Sequence, residues 1–337
     1  MQYLVGLQVG NNSLLSEIIK NSDKISEVYF SWGDFPNGRS SLDNVENATL
    51  FEMQNILASN LNELSKSGMA LNLLLNANCY GANSQSRSFF NKIGNTIDYL
   101  KENFGLSSIT TTSPLIAKFI KNNFGNLEVR ASVNMEVGST EGMDYIADLF
   151  DSFYLKREYN RDLNKIQKAR EWCNENGKKL YGLANSGCLN FCSTHIFHDN
   201  LVAHESEISA MDNGFQFEGQ CWEYLKKEDK REKWLSLTNF IRPEDVHLYE
   251  GLFDGLKLAT RVNKNPVKVV ESYCNSSYNG AITDLLEPNH SGIFYPSVID
   301  NKSIKSDFAQ TVLGCSKNCN ECDYCTNIQN KATIVLE

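Results

Sequence analysis

Along the chain, short runs of apolar residues alternate with longer stretches in which apolar positions return every three or four residues. Eight of the short runs are rich in β-forming residues: YLVGLQV (3–9), EVYFSW (27–32), ALNLLLN (70–76), SSITTT (107–112), EVRASVNM (128–135), SFYLK (152–156), KLYGLA (179–184) and GLKLAT (255–260). Most are continuously apolar or nearly so, the pattern of strands covered on both faces. The stretches between them carry helical signals. FEMQNILASNLNELSKSG (51–68) has apolar residues at i, i+3 and i+4 and stops at Gly68. SPLIAKFIKNNFG (113–125) opens on a serine cap with proline in the first turn, and IRPEDVHLYEGLF (241–253) has proline and acids near its start. Eight strands alternating with helices predict a parallel (β/α)8 TIM-like barrel of the α/β class, with an open doubly wound sheet as the alternative.

The barrel is expected to occupy residues 1–280, and 281–337 a C-terminal extension. One connection breaks the alternation. Strands seven and eight are separated by 70 residues (185–254), far more than a loop and one helix require. Residues 185–240 therefore read as an insertion at the end of a barrel strand, and they contain Cys188, Cys192, Cys221, His195, His198 and His204. Within it KKEDKREK (226–233), with acids among its bases, reads as a solvated helix surface.

Composition narrows the partners. The 337 residues are 41% hydrophobic and 22% charged, as in ordinary globular proteins. Acids outnumber bases 41 to 32, giving a net charge of −9, so nucleic acid is not an expected partner. The start MQYLVGLQVGNNS lacks a basic region before its apolar run, and no run reaches the length of a membrane span. A cytoplasmic location is expected, where thiols stay reduced. Ten cysteines in that setting point to metal binding or catalysis rather than disulfides.

GCSKNCNECDYC (314–325) places Cys315, Cys319, Cys322 and Cys325 in a C-x3-C-x2-C-x2-C pattern. Four thiolates within 11 residues can surround only one compact object, either an iron–sulfur cluster or, as the alternative, a tetrahedral zinc. A second group lies in NSGCLNFCSTHIFHDN (185–200), directly after strand seven, with Cys221 following. Cys188, Cys192 and Cys221 form a three-cysteine set for which Cys274, His198, a tail cysteine or substrate could complete the coordination. Cys173 reads as a packed thiol on an amphipathic helix, and Cys79 is either structural or placed where barrel active sites lie.

NSGCLNFCSTHIFHDN followed by FIRPEDVHLYEGLFDGLKLATR resembles the peptidase U32 family, the collagenase-like peptidases, and EVYFSWGDFPNGRS, NLLLNANCYG and VRASVNM share that likeness. The resemblance covers roughly residues 3–290. It implies iron–sulfur chemistry more than proteolysis, since several members are oxygen-independent hydroxylation proteins with a 4Fe–4S cluster on four cysteines. They act in anaerobic ubiquinone synthesis and on tRNA uridine or rRNA cytidine. Cys188, Cys192 and Cys221 match the first three ligands in order. The fourth would fall within SLTNFIRPED (236–245), which has no cysteine. The resemblance also puts Arg261 on the family's Gly-Arg position.

The leading expectation is an iron–sulfur redox enzyme or subunit carrying one or two 4Fe–4S clusters, for hydroxylation or a related modification of a small or carrier-bound metabolite. Arg39, Asn76, Asn134, Asn185, His198, Asp199 and Arg261 would line its pocket, with Arg261 holding an anion and His198 and Asp199 acting as a ligand or proton-transfer pair. His195 and His204 read as structural. A non-catalytic iron–sulfur or zinc protein working with a heteromeric partner is the first alternative. A U32-type peptidase is the second; the chain has no HExxH and no nucleophile elbow, and the sole thiol dyad conceivable is Cys79 with a histidine.

Overall fold

The computed structural model describes residues 1–38 and 48–336. All eight expected strands form: β1 (Tyr3–Gly6), β2 (Ile25–Phe30), β3 (Ala70–Leu75), β4 (Ser108–Thr111), β5 (Glu128–Ala131), β6 (Ser152–Tyr154), β7 (Lys179–Leu183) and β8 (Gly255–Leu258). Each pairs in parallel with the next, and β8 closes on β1, making a closed eight-stranded barrel. The chain is thus a TIM barrel, as its alternating pattern predicts.

The helices follow local chemistry. Leu50–Lys66 begins in a capping box, in which the Thr49 hydroxyl accepts from the Glu52 amide and the Glu52 carboxylate accepts from the Thr49 amide. Pro114–Asn123 starts on the Ser113 cap with Pro114 in its first turn. The expected helix at 241–253 is instead a 3-10 segment, Pro243–Tyr249. There the Arg242 guanidinium grips Asp245 at 2.6 and 2.9 Å and reaches the carbonyls of Ile304 and Lys305, so tertiary bonds override helical propensity.

Outward residues such as Val5, Val28, Leu73, Ile109, Val129, Phe153, Leu180 and Leu256 are buried in the main core. The inward face differs from the apolar expectation. Toward the mouth it is filled by Leu4, Tyr29, Leu74, Val133, Tyr154, Tyr181 and Leu183. Deeper inside, Arg130 makes a two-pronged ion pair with Glu27 at 2.7 and 2.9 Å. Asn72 and Ser108 donate to the same carboxylate, and Thr110 donates to Asn72. Arg130 also reaches Glu128 at 2.6 Å, and its guanidinium lies 4.0 Å from the Tyr181 ring centre. Burial alone would depress the guanidinium pKa, yet Glu27 and the other facing groups raise it well above its ordinary value. The polar residues thus satisfy one another across five strands.

The insertion folds into short helices, among them His195–Ala203, Gln220–Leu225 and Trp234–Leu237. The C-terminal extension adds β9 (Ser297–Ile299), paired antiparallel with β10 (Thr333–Val335). Its helix Tyr324–Ala332 docks on the insertion: Gln329 accepts from the Leu235 amide and donates to the Arg231 carbonyl. Among the described residues, no helix is long and apolar enough to cross a membrane.

Breaking the interior pair alone should cost about 3–5 kcal/mol, because one charge stays buried without its counter-ion. Urea unfolding of Arg130→Met should show that loss, and a joint Glu27→Leu/Arg130→Met variant should recover much of it. Glu128 supplies a pH signature. Burial would raise its carboxyl, but Arg130, Lys179 and Ser152 hold it down to about 2. A carboxyl depressed on folding stabilises fully above its ordinary value and loses that contribution as pH falls through about 2. Acid titration of Glu128→Gln, followed by circular dichroism, should show a flatter fall than the native chain.

Candidate functional site

The C-terminal ends of the strands open on a cavity of about 280 Å³. β7 leads straight into it. Asn185, expected to line a pocket, is fully buried and saturated instead: it donates to the carbonyls of Ala259 and Leu285 and accepts from the Ala259 amide. It fastens the end of β7 to the end of β8. The turn that follows passes so close to Glu287–Pro288 that a Cβ on Gly187 would stand 2.1 Å from the Pro288 carbonyl oxygen. Only glycine fits there, and the turn delivers Cys188 to the cavity wall. Phe191, in the left-handed region at φ 54°, turns the chain again before Cys192.

Cys188, Cys192 and Cys221 all line this cavity, joined by His195, His198, Asp199, Arg157 and Glu287. Arg157 Nη1 lies 3.5 Å from the Cys188 sulfur, and Cys192 meets the Thr194 hydroxyl at 3.2 Å. Burial pushes the Cys221 thiol up to about 11, reinforced by the neighbouring Cys188 and Cys192. A metal or cluster binding there would displace its proton. Among the described residues, no three of the His, Cys, Asp and Glu side chains are gathered tightly enough to clasp one metal ion. The three thiols share one cavity, and Cys221 interacts electrostatically with both Cys188 and Cys192.

His195 lines the cavity wall. Its Nδ1 meets Glu136 at 2.5 Å, and its Nε2 stands 3.3 Å from Asp199, off the line of a hydrogen bond. Lys156 adds a third charge on Glu136 at 3.3 Å. Burial would raise the Glu136 carboxyl, but His195 and Lys156 hold it below the usual range. Asp199 is engaged by His195 and by the Asn78 amide at 3.3 Å, while His198 packs on the Phe217 ring.

Beneath the main cavity lies a smaller one of about 40 Å³, lined by Asn76, Asn134, Arg157, Lys257, Arg261 and Glu287. Asn76 accepts from the Gly38 amide, Asn134 donates to the Asn76 carbonyl, and Arg157 donates to Asn134 at 3.5 Å. Arg261 is held by Ser31 at 2.7 Å and Asn37 at 3.1 Å. Arg39 lies outside the described residues.

The tail cysteines form a second group. Cys325 is half-buried beside Arg161 and interacts with Cys315, Cys319 and Cys322; burial pushes its thiol up to about 11 against the pull of Arg161. Arg161, wholly buried, donates to the carbonyls of Leu235, Thr238 and Phe240, and its guanidinium stacks over Phe240 and Phe308. Lys317 donates to the Arg161 carbonyl and lies 3.3 Å from the Cys315 sulfur. Cys274 is remote from both groups. It ends the helix Pro266–Cys274, which runs back down the barrel, and its carbonyl takes the Lys24 ammonium at the opposite end. It is therefore no fourth ligand. Cys173 is buried on the helix Leu163–Glu175, as expected.

No family model matches the chain. It is 28% identical to the uncharacterized protease MJ1657 of Methanocaldococcus jannaschii over 333 residues, covering 95% of this chain and 93% of that protein. Among solved structures, the U32 peptidase Mk0906 superposes with a TM-score of 0.54 at 14% identity, over 76% of this chain and 91% of that one. A family 5 mannosidase from Rhizomucor miehei gives 0.40 at 11% identity, over 76% and 80%.

Replacing Gly187 by Ala should force the Glu287–Pro288 strap away and cost about 1–3 kcal/mol of stability. Thermal melting should register the loss, and Cys188 should react faster with a bulky maleimide as its turn loosens. With a protease-named relative matching almost end to end and a solved U32 peptidase sharing the barrel, the resemblance to the U32 peptidase family is borne out.

Proposed function

We propose that this U32-type barrel is an iron–sulfur redox enzyme acting on a small or carrier-bound metabolite with an anionic end. The observation that carries the reading is the convergence of Cys188, Cys192 and Cys221 on one cavity at the mouth of the barrel. Those three thiolates would hold the cluster, and one iron would be left for an outside ligand, with His198 on the same cavity wall. A cluster with three protein thiolates supplies one-electron chemistry and an iron position able to bind an outside ligand.

The chain's own groups do the rest. Arg157 Nη1 stands 3.5 Å from the Cys188 sulfur and would face it in a bound cluster. Leu189, Val202, Val262 and Pro288 give the cavity apolar walls that keep water from the reacting end. Arg157, Lys257 and Arg261 converge on the smaller space below. At about 40 Å³ the space is far smaller than the main cavity of about 280 Å³, which suits a carboxylate end better than a ring. The His195–Glu136–Lys156 network fixes the wall from which a proton can be given or taken. The tail quartet would hold a second cluster, with zinc as the alternative.

The likeness to an uncharacterized protease and to a U32 peptidase favours a second reading, hydrolysis of peptide bonds. Metal and sulfide content after anaerobic purification separates the two. The expected result is about eight iron and eight sulfide per chain, with about half remaining after Cys315, Cys319, Cys322 and Cys325 are all changed to Ser. Zinc without sulfide would end the redox reading and leave the hydrolytic one.

A further inference from the structure

Cys79 follows β3 on the rim of the mouth, and its surroundings were invisible in the linear chain. Next to it, Asn78 donates to Asp199 at 3.3 Å, which fastens this loop to the helix His195–Ala203. His204 caps the C-terminal end of that helix. Its Nδ1 meets the Glu207 carboxylate at 2.9 Å. A carboxylate can only accept, so Nδ1 carries the proton and Nε2 is left as the acceptor. The ring stands against Gly81, where an added Cβ would lie 3.8 Å from its Cε1, and so beside the Cys79 side chain, with which it interacts electrostatically. The Gly81 amide, at a φ of 57° that favours glycine, donates to the Cys79 sulfur at 3.4 Å. Cys79 is half-exposed, so a substrate can reach it.

We propose that Cys79, His204 and Glu207 form a thiol acyl-transfer site that takes the acyl group of an ester or amide, separate from the cysteine-lined cavity. Thiol, imidazole and carboxylate stand in the order that nucleophilic catalysis requires. The Cys79 thiol is held below its ordinary value by His204 first and by the Gly81 amide second, and Cys79 and Glu207 in turn raise His204. Each shift moves its group toward the charged form.

In the first half-reaction the Cys79 sulfur bonds to the carbonyl carbon, and its proton passes to His204 Nε2. The carbon–oxygen or carbon–nitrogen bond then breaks, and the leaving alcohol or amine takes that proton. In the second, His204 draws a proton from water, whose oxygen attacks the thioester. The acid leaves and the sulfur is reprotonated. No electrons are exchanged and no co-reactant beyond water is needed. The proposal does not rest on the iron–sulfur reading; it supplies the catalytic group that the hydrolytic reading otherwise lacks.

The test is pre-steady-state acylation of the chain, as purified, by p-nitrophenyl acetate, with the acetylated cysteine located by mass spectrometry. The expected result is a burst of about one nitrophenolate per chain, with acetyl on Cys79 formed faster than on free N-acetylcysteine under the same conditions. Cys79→Ser and Cys79→Ala should both lose the burst, and His204→Gln should slow acylation at least roughly 100-fold. Glu207→Gln, removing an exposed orienting group, should slow it only a few-fold and keep the amplitude at one. A burst that persists without Cys79, acetylation of Cys79 no faster than of free N-acetylcysteine, or a native rate in His204→Gln would overturn the proposal. Iron and sulfide measured on the same samples report on the redox reading independently.

Discussion

The constraint on which the molecule depends is a charge inside the barrel. Glu27 on β2 and Arg130 on β5 sit across the axis from one another, both almost wholly buried, and neither can be solvated there. Their pairing is tolerable because each remaining lone pair and proton is used: Asn72 and Ser108 serve Glu27, while Glu128, Ser152 and the Tyr181 ring serve Arg130. An ion pair of this kind adds little net stability over an apolar filling, but it tolerates one register only. It fixes how β2 to β7 align, and hence which residues emerge together at the mouth.

The mouth is built in two tiers on that floor. The lower tier is small and charged, with Lys257, Arg261 and Glu287 in its wall and Asn76 and Asn134 framing it, and Arg157 is shared between the levels. The upper tier belongs to the insertion and is thiol-rich and apolar. Segment 157–161 joins this tier to the tail: Arg157 meets Cys188, and Arg161 lies beside Cys325. The two cysteine groups are therefore distinct but mechanically linked through one short stretch of chain.

The strands were legible because a barrel strand is short, rich in β-formers and bounded by helical periods, a local signal. The interior was legible only in part. Glu27, Asn72 and Arg130 are visible as polar residues within strands, but a pattern along the chain does not show that they meet. The Cys188–Cys192–Cys221 set could be anticipated from its place after β7, whereas the exclusion of Cys274 needed the direction of its helix. Asn185, expected to line a pocket, is a fastening instead, since burial and partners decide between the two. The Cys79–His204 contact joins two distant loops, and no spacing rule reaches that far.

The account stands or falls on what the three cavity cysteines hold. Anomalous diffraction at the iron edge, from crystals of anaerobically purified chain, tests this most directly. A multi-iron peak bounded by the sulfurs of Cys188, Cys192 and Cys221 is the predicted result. A zinc signal there, or bare thiols with iron confined to the tail, would contradict it.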